Sequence, residues 1–560
     1  MKHFLVLVWV FLISASSFAQ FEITQIETYD EYVMESKPKL VVGIVIDQMR
    51  YDYLTRFYSR YGEGGFKRMI KEGFNCKNNQ INYIPTKTGP GHASIFTGIT
   101  PKYHGIIGND WFDKELGQNV YCVGDNTYNT IGASNRSGKI SPHRMLTNSF
   151  ADENRLATQM RGKSIGISIK ERGAVLPVGH TANAAYWLDY ENNGSGNWVT
   201  SSFYMDKLPQ WVLDFNASKI TESYFKEWTT LYDLDSYSQS GNDLNTFEGG
   251  FNGKETATFP YDLNALKSFN GNYNIIAETP FGNSLTTDFA LEAIKAEQLG
   301  QDEITDVLTI SYSSTDKVGH NFGVNSKEIE DTYLRMDLEL ERLLKYLDAN
   351  IGRDKYTVFL TADHAAPDVP SYLKSLKIPA DYFDESKMYD HLNDFLQKKY
   401  GVANLVLSRI NNQIFLDHSK IKTSQLDLQQ IKKELANELL TYDLIDKVYL
   451  TSNINQLEAT NGYLEELLKN GHHQKRSGDV LFVYTPNVFK DTPWNRTGTD
   501  HHSGFNYDTH IPLLFFGKGI KHGSTLKKTN ITDIAPTISA LLGISFPNGA
   551  TGQPLEFVLH

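Results

Sequence analysis

Seven side chains in this sequence could do chemistry together: Asp47, Thr88, Asp316, His320, Asp363, His364 and His501. Asp47 ends the apolar run VVGIVID, and Asp316 follows DVLTISYSST with His320 one helical turn later. Asp363 and His364 end TVFLTADH. Mixed Asp and His sets suit zinc, whereas all-oxygen sets suit magnesium or calcium. Three Asp and three His are too many for one tetrahedral ion and suit two ions sharing a substrate. Two ions ~4 Å apart can stabilise both the attacking and the leaving oxygen of an in-line displacement. Thr88 lies in NYIPTKTGPGHASIFTG, in a Pro- and Gly-rich turn ahead of a small helical run. Backbone N–H groups at a helix start favour an anion, and metal coordination activates a Thr hydroxyl that is otherwise a poor nucleophile. Thr86 competes with Thr88 for this role, and His92 reads as structural.

Positioning such residues calls for strand ends. KLVVGIVID, KSIGISI (163–169), DVLTISYS (306–313), YTVFLTAD (356–363), DVLFVYT (479–485) and IPLLFF (511–516) read as strands. Residues 326–349 have helical spacing, with Ile329, Tyr333, Met336, Leu340, Leu343 and Leu347 on one face and Asn325 with Glu328 as a cap. Helical spacing also follows the first strand to about Gly73, and Thr532 is the expected cap of DIAPTISALL. Strands alternating with helices predict an α/β fold, a mostly parallel central sheet covered on both faces. In such sheets ligands bind at the carboxyl ends of the strands. Residues 38–364 and 500–560 are the expected catalytic core. Residues 232–263, rich in Gly, Asn, Ser and Asp, read as an irregular lid, and 370–480 as an inserted subdomain.

The first 19 residues read as a signal peptide: Lys2, an apolar stretch from Phe4 to Ile13, and Ser17-Phe18-Ala19 for cleavage. That stretch is short for a span of ~20 residues. A periplasmic or secreted protein without stable membrane insertion is expected, with a monomer as sufficient unit. The balance of 54 basic against 66 acidic residues argues against nucleic acid as partner. In an oxidising compartment the two cysteines, Cys76 and Cys122, predict a disulfide. Lys170 and Arg172, two apart in SIKERG, point the same way in an extended segment and could grip a phosphate, although the pattern alone is common on surfaces. Asn109 in HGIIGNDW is a neutral donor of the right kind.

From about Lys39 to the C-terminus the chain resembles the alkaline phosphatase superfamily, and within it the PafA-type bacterial alkaline phosphatases. The resemblance rests on VVGIVIDQMRYDYL, PTKTGPGHASIFTG, HGIIGNDW, SIKERGAVLPVGH, SYSSTDKVGH, TADH, TGTDHHSG and DIAPTISALLG, in the family's order. It implies two zinc ions. Asp47, Thr88, Asp363 and His364 would hold the one that activates the nucleophile; Asp316, His320 and His501 would hold the one that stabilises the leaving oxygen. Asn109, Lys170 and Arg172 would bind the non-bridging phosphate oxygens, and Thr88 would form a phosphothreonine from small phosphate monoesters. Ala365 and His502 stand where the family carries Gly, and Gly498-x-x-His selects His501 over His502. A phosphodiesterase or nucleotide pyrophosphatase of the same superfamily is the alternative, and the Lys-x-Arg pair favours the monoesterase. The sulfatase signature C-x-[PA]-x-R is absent around both cysteines. A non-catalytic binding homologue would be expected to have lost Thr88 or a ligand.

Overall fold

LVVGIVI shows no polar alternation, and every residue of the strand it forms, β1 (Leu40–Ile46), is buried. A run apolar on both faces belongs in the middle of a sheet. The structure is a computed structural model that describes residues 37–457, 463–493 and 495–560. The expected signal peptide lies outside them. The fold described is that of Pro38–His560.

The central sheet continues with β2 (Phe74–Gln80), β3 (Thr130–Ile131), β4 (Ser164–Ser168), β5 (Ala184–Leu188), β6 (Trp198–Ser201), β7 (Asp306–Tyr312), β8 (Tyr356–Thr361), β9 (His510–Ile511), β10 (Leu513–Gly517) and β11 (Gly523–Asn530). Their order is β9-β2-β10-β8-β1-β7-β4-β5-β6-β3, with β11 on β2. The five strands from β8 to β5 are parallel, with Ile46 opposite Tyr312, Val45 opposite Thr361, and Ser168 between Ser311 and Trp187. Their carboxyl ends are therefore level. Antiparallel β10 and β6 flank this block.

Helices α1 (Thr88–Thr97), α2 (Glu171–Val178), α3 (Phe281–Ala296), α4 (Ser314–Phe322), α5 (Lys327–Asn350) and α6 (Ile534–Leu542) are among those between the strands. The six predicted face residues of α5 are buried. Its cap is Ser326, whose hydroxyl accepts from Ile329 N at 3.1 Å; Asn325 instead donates to Asp368 Oδ1. Ahead of α6, Asn530 and Asp533 form a reciprocal capping box, while Thr532 Oγ1 accepts from Asn82 Nδ2. The stretch after β1 breaks into short pieces, Tyr53–Arg56 and Phe66–Glu72.

Cys76 and Cys122 are free thiols, contrary to the expected disulfide. Each is buried in a different hydrophobic cluster, Cys76 with β2 and Cys122 beside Ile107 and Trp111. Burial pushes the Cys76 thiol up to about 12.

After His364 the chain builds a second, antiparallel sheet in the order Val406–Ile410, Gln413–Leu416, Val480–Tyr484, Ile445–Leu450. Met388, Leu392, Ile431 and Leu435 close its core. Val480–Tyr484, one of the runs read as a strand, pairs here and not in the central sheet.

Candidate active site

The level strand ends decide which side chains can meet. Asp47 directly follows β1, Asp363 and His364 follow β8, Lys170 lies between β4 and α2, and Asp316 sits in the first turn of α4 behind β7. His320 is one turn further along α4 and Thr88 opens α1. His501 arrives from the loop ahead of β9.

Two ligand groups result. Asp47, Asp363 and His364 offer atoms that all lie within 4.8 Å of one another, as do Asp316, His320 and His501. In the first group Asp47 Oδ1, Asp363 Oδ2 and His364 Nε2 are buried without a hydrogen-bond partner. A buried polar atom left unpaired costs ~1–3 kcal/mol, so three converging ones call for a cation. The imidazoles are oriented for the same end. His320 Nδ1 donates to Thr499 O at 2.7 Å, His501 Nδ1 to Thr86 O at 2.6 Å, and His364 Nδ1 to Ala365 O at 3.2 Å. With the proton on Nδ1, Nε2 of His364 and His501 keeps its lone pair for a metal, an arrangement typical of ligating histidines. His320 Nε2 lies 3.1 Å from Asp316 Oδ1, and although burial lowers that imidazole, Asp316 outweighs it and holds it above its usual value. The His364 and His501 rings stack, centroids 3.4 Å apart. His501 Nε2 lies 3.6 Å from Asp316 Oδ1, whereas the His502 ring packs edge-on against Tyr484. The residues present fit two metal ions.

Lys170 ties the groups together. Its ammonium donates to Asp47 Oδ2 at 2.7 Å and Asp316 Oδ2 at 2.5 Å, with 2% of the residue exposed. Burial lowers the Lys170 pKa, but Asp316 and Asp47 outweigh it and hold it above the usual lysine value. Burial and then Asp47 push Asp363 well above the carboxylate range, and burial with Asp316 raises Asp47. Burial acts on Asp316 in the same sense, yet His320 and Lys170 win and keep it ionised. Burial keeps His364 and His501 neutral.

Thr88 is 1% exposed. Helix α1 lies hard against Asp363: a Cβ on Gly91 would sit 2.4 Å from Asp363 O, which accounts for glycine in GPGH. Thr86 donates its hydroxyl to Ser503 O and is thereby engaged elsewhere. His92 bonds Thr88 O and Ser311 Oγ, both at 2.9 Å, and burial pushes it down to about 3, in keeping with a structural role. Asn109 Oδ1 accepts from Gly89 N at 2.7 Å, which leaves its amide NH2 as donor. Arg172 Nη1 donates to Tyr121 OH at 3.2 Å.

Gln48 escaped the sequence reading. It sits at φ +66°, its backbone N–H donates to Asp363 Oδ1 at 3.2 Å, and Nε2 donates to Asp316 Oδ1 at 2.8 Å. One residue thus orients a carboxylate of each group. Gly319 makes room for it, since a Cβ there would fall 1.8 Å from Gln48 Oε1. Glutamine after a strand-end aspartate carries no signal by type.

The fold and the paired ligand groups place this chain among the metal-dependent phosphoesterases by comparison as well: it belongs to the Type I phosphodiesterase / nucleotide pyrophosphatase family, which it matches over residues 41–506. Within that family it is 44% identical over 530 residues to alkaline phosphatase PhoV of Synechococcus elongatus, covering 94% of this chain and 93% of that one. It is 41% identical over 525 residues to alkaline phosphatase PafA of Elizabethkingia meningoseptica, covering 93% and 95%. A Myroides odoratus protein named a calcium-transporting ATPase is 45% identical over 525 residues, covering 93% and 94%. The crystal structure of wild-type PafA superposes with a TM-score of 0.90 at 41% identity, covering 94% of this chain and 99% of that one.

Proposed function

We propose that this protein is an exported alkaline phosphatase that hydrolyses small phosphate monoesters through a phosphothreonine on Thr88, with two zinc ions. The observation that carries the reading is Lys170, a buried fixed cation between the two ligand groups. Two ions alone would serve a diester; an added cation suits the extra charge of a monoester. The names of PhoV and PafA point the same way.

Asp47, Thr88, Asp363 and His364 would hold one ion, and Asp316, His320 and His501 the other. When bound, the ions supply a lowered pKa for the attacking hydroxyl and water and neutralise charge on the leaving oxygen. Asn109, Lys170 and Arg172 bind the non-bridging oxygens, and the N-terminal N–H groups of α1 favour the anion. Thr88 Oγ1, its proton given to solvent, attacks phosphorus, and the ester P–O bond breaks. The alcohol oxygen takes a proton from water. A water molecule then attacks phosphothreonine, the bond to Oγ1 breaks, and phosphate leaves. Two inversions give retention at phosphorus. Positioning and electrostatic stabilisation carry the rate, as in phosphoryl transfer generally.

The signal sequence supports export. Among the described residues no helix is long and apolar enough to cross a membrane. The test is Thr88→Ala: monoester turnover falls by orders of magnitude while zinc is still bound by the remaining Asp and His ligands and the melting temperature stays. Turnover retained by Thr88→Ala would remove Thr88 as nucleophile.

A further inference from the structure

At the carboxyl ends of β4 and β5, beside the phosphate-gripping pair, lies a cavity of about 350 Å³ bounded by Tyr121, Arg136, Glu171, Trp187, Tyr190 and Glu191 among others. The size is that of a small-molecule site, and the edge is where parallel sheets bind ligands. Two contacts join it to the candidate active site. Tyr121 accepts from Arg172 Nη1 and donates to Glu171 Oε1. Glu191 lies 3.6 Å from the ammonium of Lys317, the residue next to Asp316, and accepts from Tyr190 OH at 3.0 Å.

The fields agree with that placement. Burial raises the Glu191 carboxyl, but Lys317, the Tyr190 hydroxyl, Arg172 and Lys170 outweigh it and hold the group below the usual carboxylate range. Glu191 is joined to the site through Lys317, which precedes the turn of α4 that carries His320.

The charge on this wall is negative. Glu171, Asp189 and Glu191 line it with one guanidinium, Arg136, and the Lys317 ammonium stands behind Glu191. Asp189 is already engaged, Oδ1 by Asn135 and Oδ2 by Ser195. Glu171 and Glu191 each keep an oxygen that can accept a hydroxyl. Phosphate itself requires cations, so carboxylates beside them act on the rest of the substrate.

We infer that this cavity receives the alcohol portion of the ester, and that Glu171 and Glu191 make it select hydroxylated, uncharged alcohols over alcohols bearing a second anionic group. The inference rests on the monoesterase reading and narrows it to a substrate class. Hydroxyls can donate to the two carboxylates, whereas an anionic substituent meets like charge at short range without a donor to offer.

A matched pair of substrates tests this with zinc-loaded protein: glycerol 3-phosphate and 3-phosphoglycerate, which differ by a hydroxymethyl against a carboxylate. The work is done near 0.15 M salt, where charges beyond about 8 Å are screened. Wild type prefers glycerol 3-phosphate by kcat/KM. Glu191→Gln raises kcat/KM for 3-phosphoglycerate roughly tenfold, the effect of one charge several ångströms away in a medium between protein surface and water, and Glu191→Lys raises it further. The readout is the ratio of kcat/KM for the two substrates, in which any change in phosphate grip common to both cancels. A substrate ratio that moves less than about twofold in both variants overturns the subsite, as does a wild type without preference. No turnover of p-nitrophenyl phosphate at all overturns the monoesterase reading first, and this inference with it.

Discussion

Replacing Gln48 by alanine removes a neutral side chain that orients Asp316, while its backbone N–H still reaches Asp363. The lost bond runs from Nε2 to Asp316 Oδ1 at 2.8 Å, and Asp316 is held ionised by His320 and Lys170 despite its burial. Hydrogen bonds to charged acceptors contribute about 1.5–3 kcal/mol, and each 1.4 kcal/mol is tenfold in an equilibrium constant. Zinc affinity at the Asp316–His320–His501 group therefore falls roughly 10- to 100-fold, the range seen when partners that orient metal ligands are removed. Gln48→Gly is the control. It loses the same amide but suits the left-handed φ of +66°, where a Cβ costs about 1 kcal/mol or more. Both variants should lose the same zinc affinity, with the glycine variant melting higher than the alanine one. The assay is competition against a chromophoric chelator with metal content measured directly, so no turnover enters. Affinity unchanged in either variant would refute the reasoning, since both lack the amide.

Removing Lys170 and Arg172 together should harm monoesters more than diesters. One extra unit charge about 4 Å from a cation is worth on the order of 4 kcal/mol at an effective dielectric of 20, so the monoester loss in kcat/KM should exceed the diester loss by roughly a hundredfold or more. Equal losses on the two substrates would contradict the assignment. Acid should unfold the protein in part through His104, which is fully buried, bonds Ser94 Oγ and Ile106 N, and is pushed down to about 3 by burial. Its folded pKa lies below the unfolded value of about 6.5, so its contribution is intact above that pH and is lost as pH falls towards 3, at about 1.4 kcal/mol per pH unit. Urea titrations from pH 7 to 4 should show a shallower decline in His104→Asn; an identical slope would acquit this residue.

Strand ends made much of the fold and site legible. β1, β7 and β8 are buried on both faces, Asp47 and Asp363 come just past the ends of β1 and β8, and Asp316 follows β7 in the first turn of α4, so local chemistry marked the sheet edge. The spacing of Asp316 and His320 needs only one helical turn. What stayed hidden depends on partners far along the chain. Gln48 acquires its place from Asp363, 315 residues away, and the proton on His501 is fixed by the carbonyl of Thr86, 415 residues away, an atom that every residue carries. The cysteine pair misled because compartment and count say nothing about distance; the two thiols belong to separate packing clusters. The cap of α5 moved by one residue because Asn325 found Asp368, and a neighbouring serine was free to serve.

The most direct test of the central claim is kcat/KM of the purified, zinc-loaded protein on p-nitrophenyl phosphate and on bis-p-nitrophenyl phosphate. A strong preference for the monoester is the predicted result, since Lys170 and Arg172 add charge that only the dianion uses fully. Preference for the diester would keep the fold and both ligand groups and contradict the phosphatase assignment.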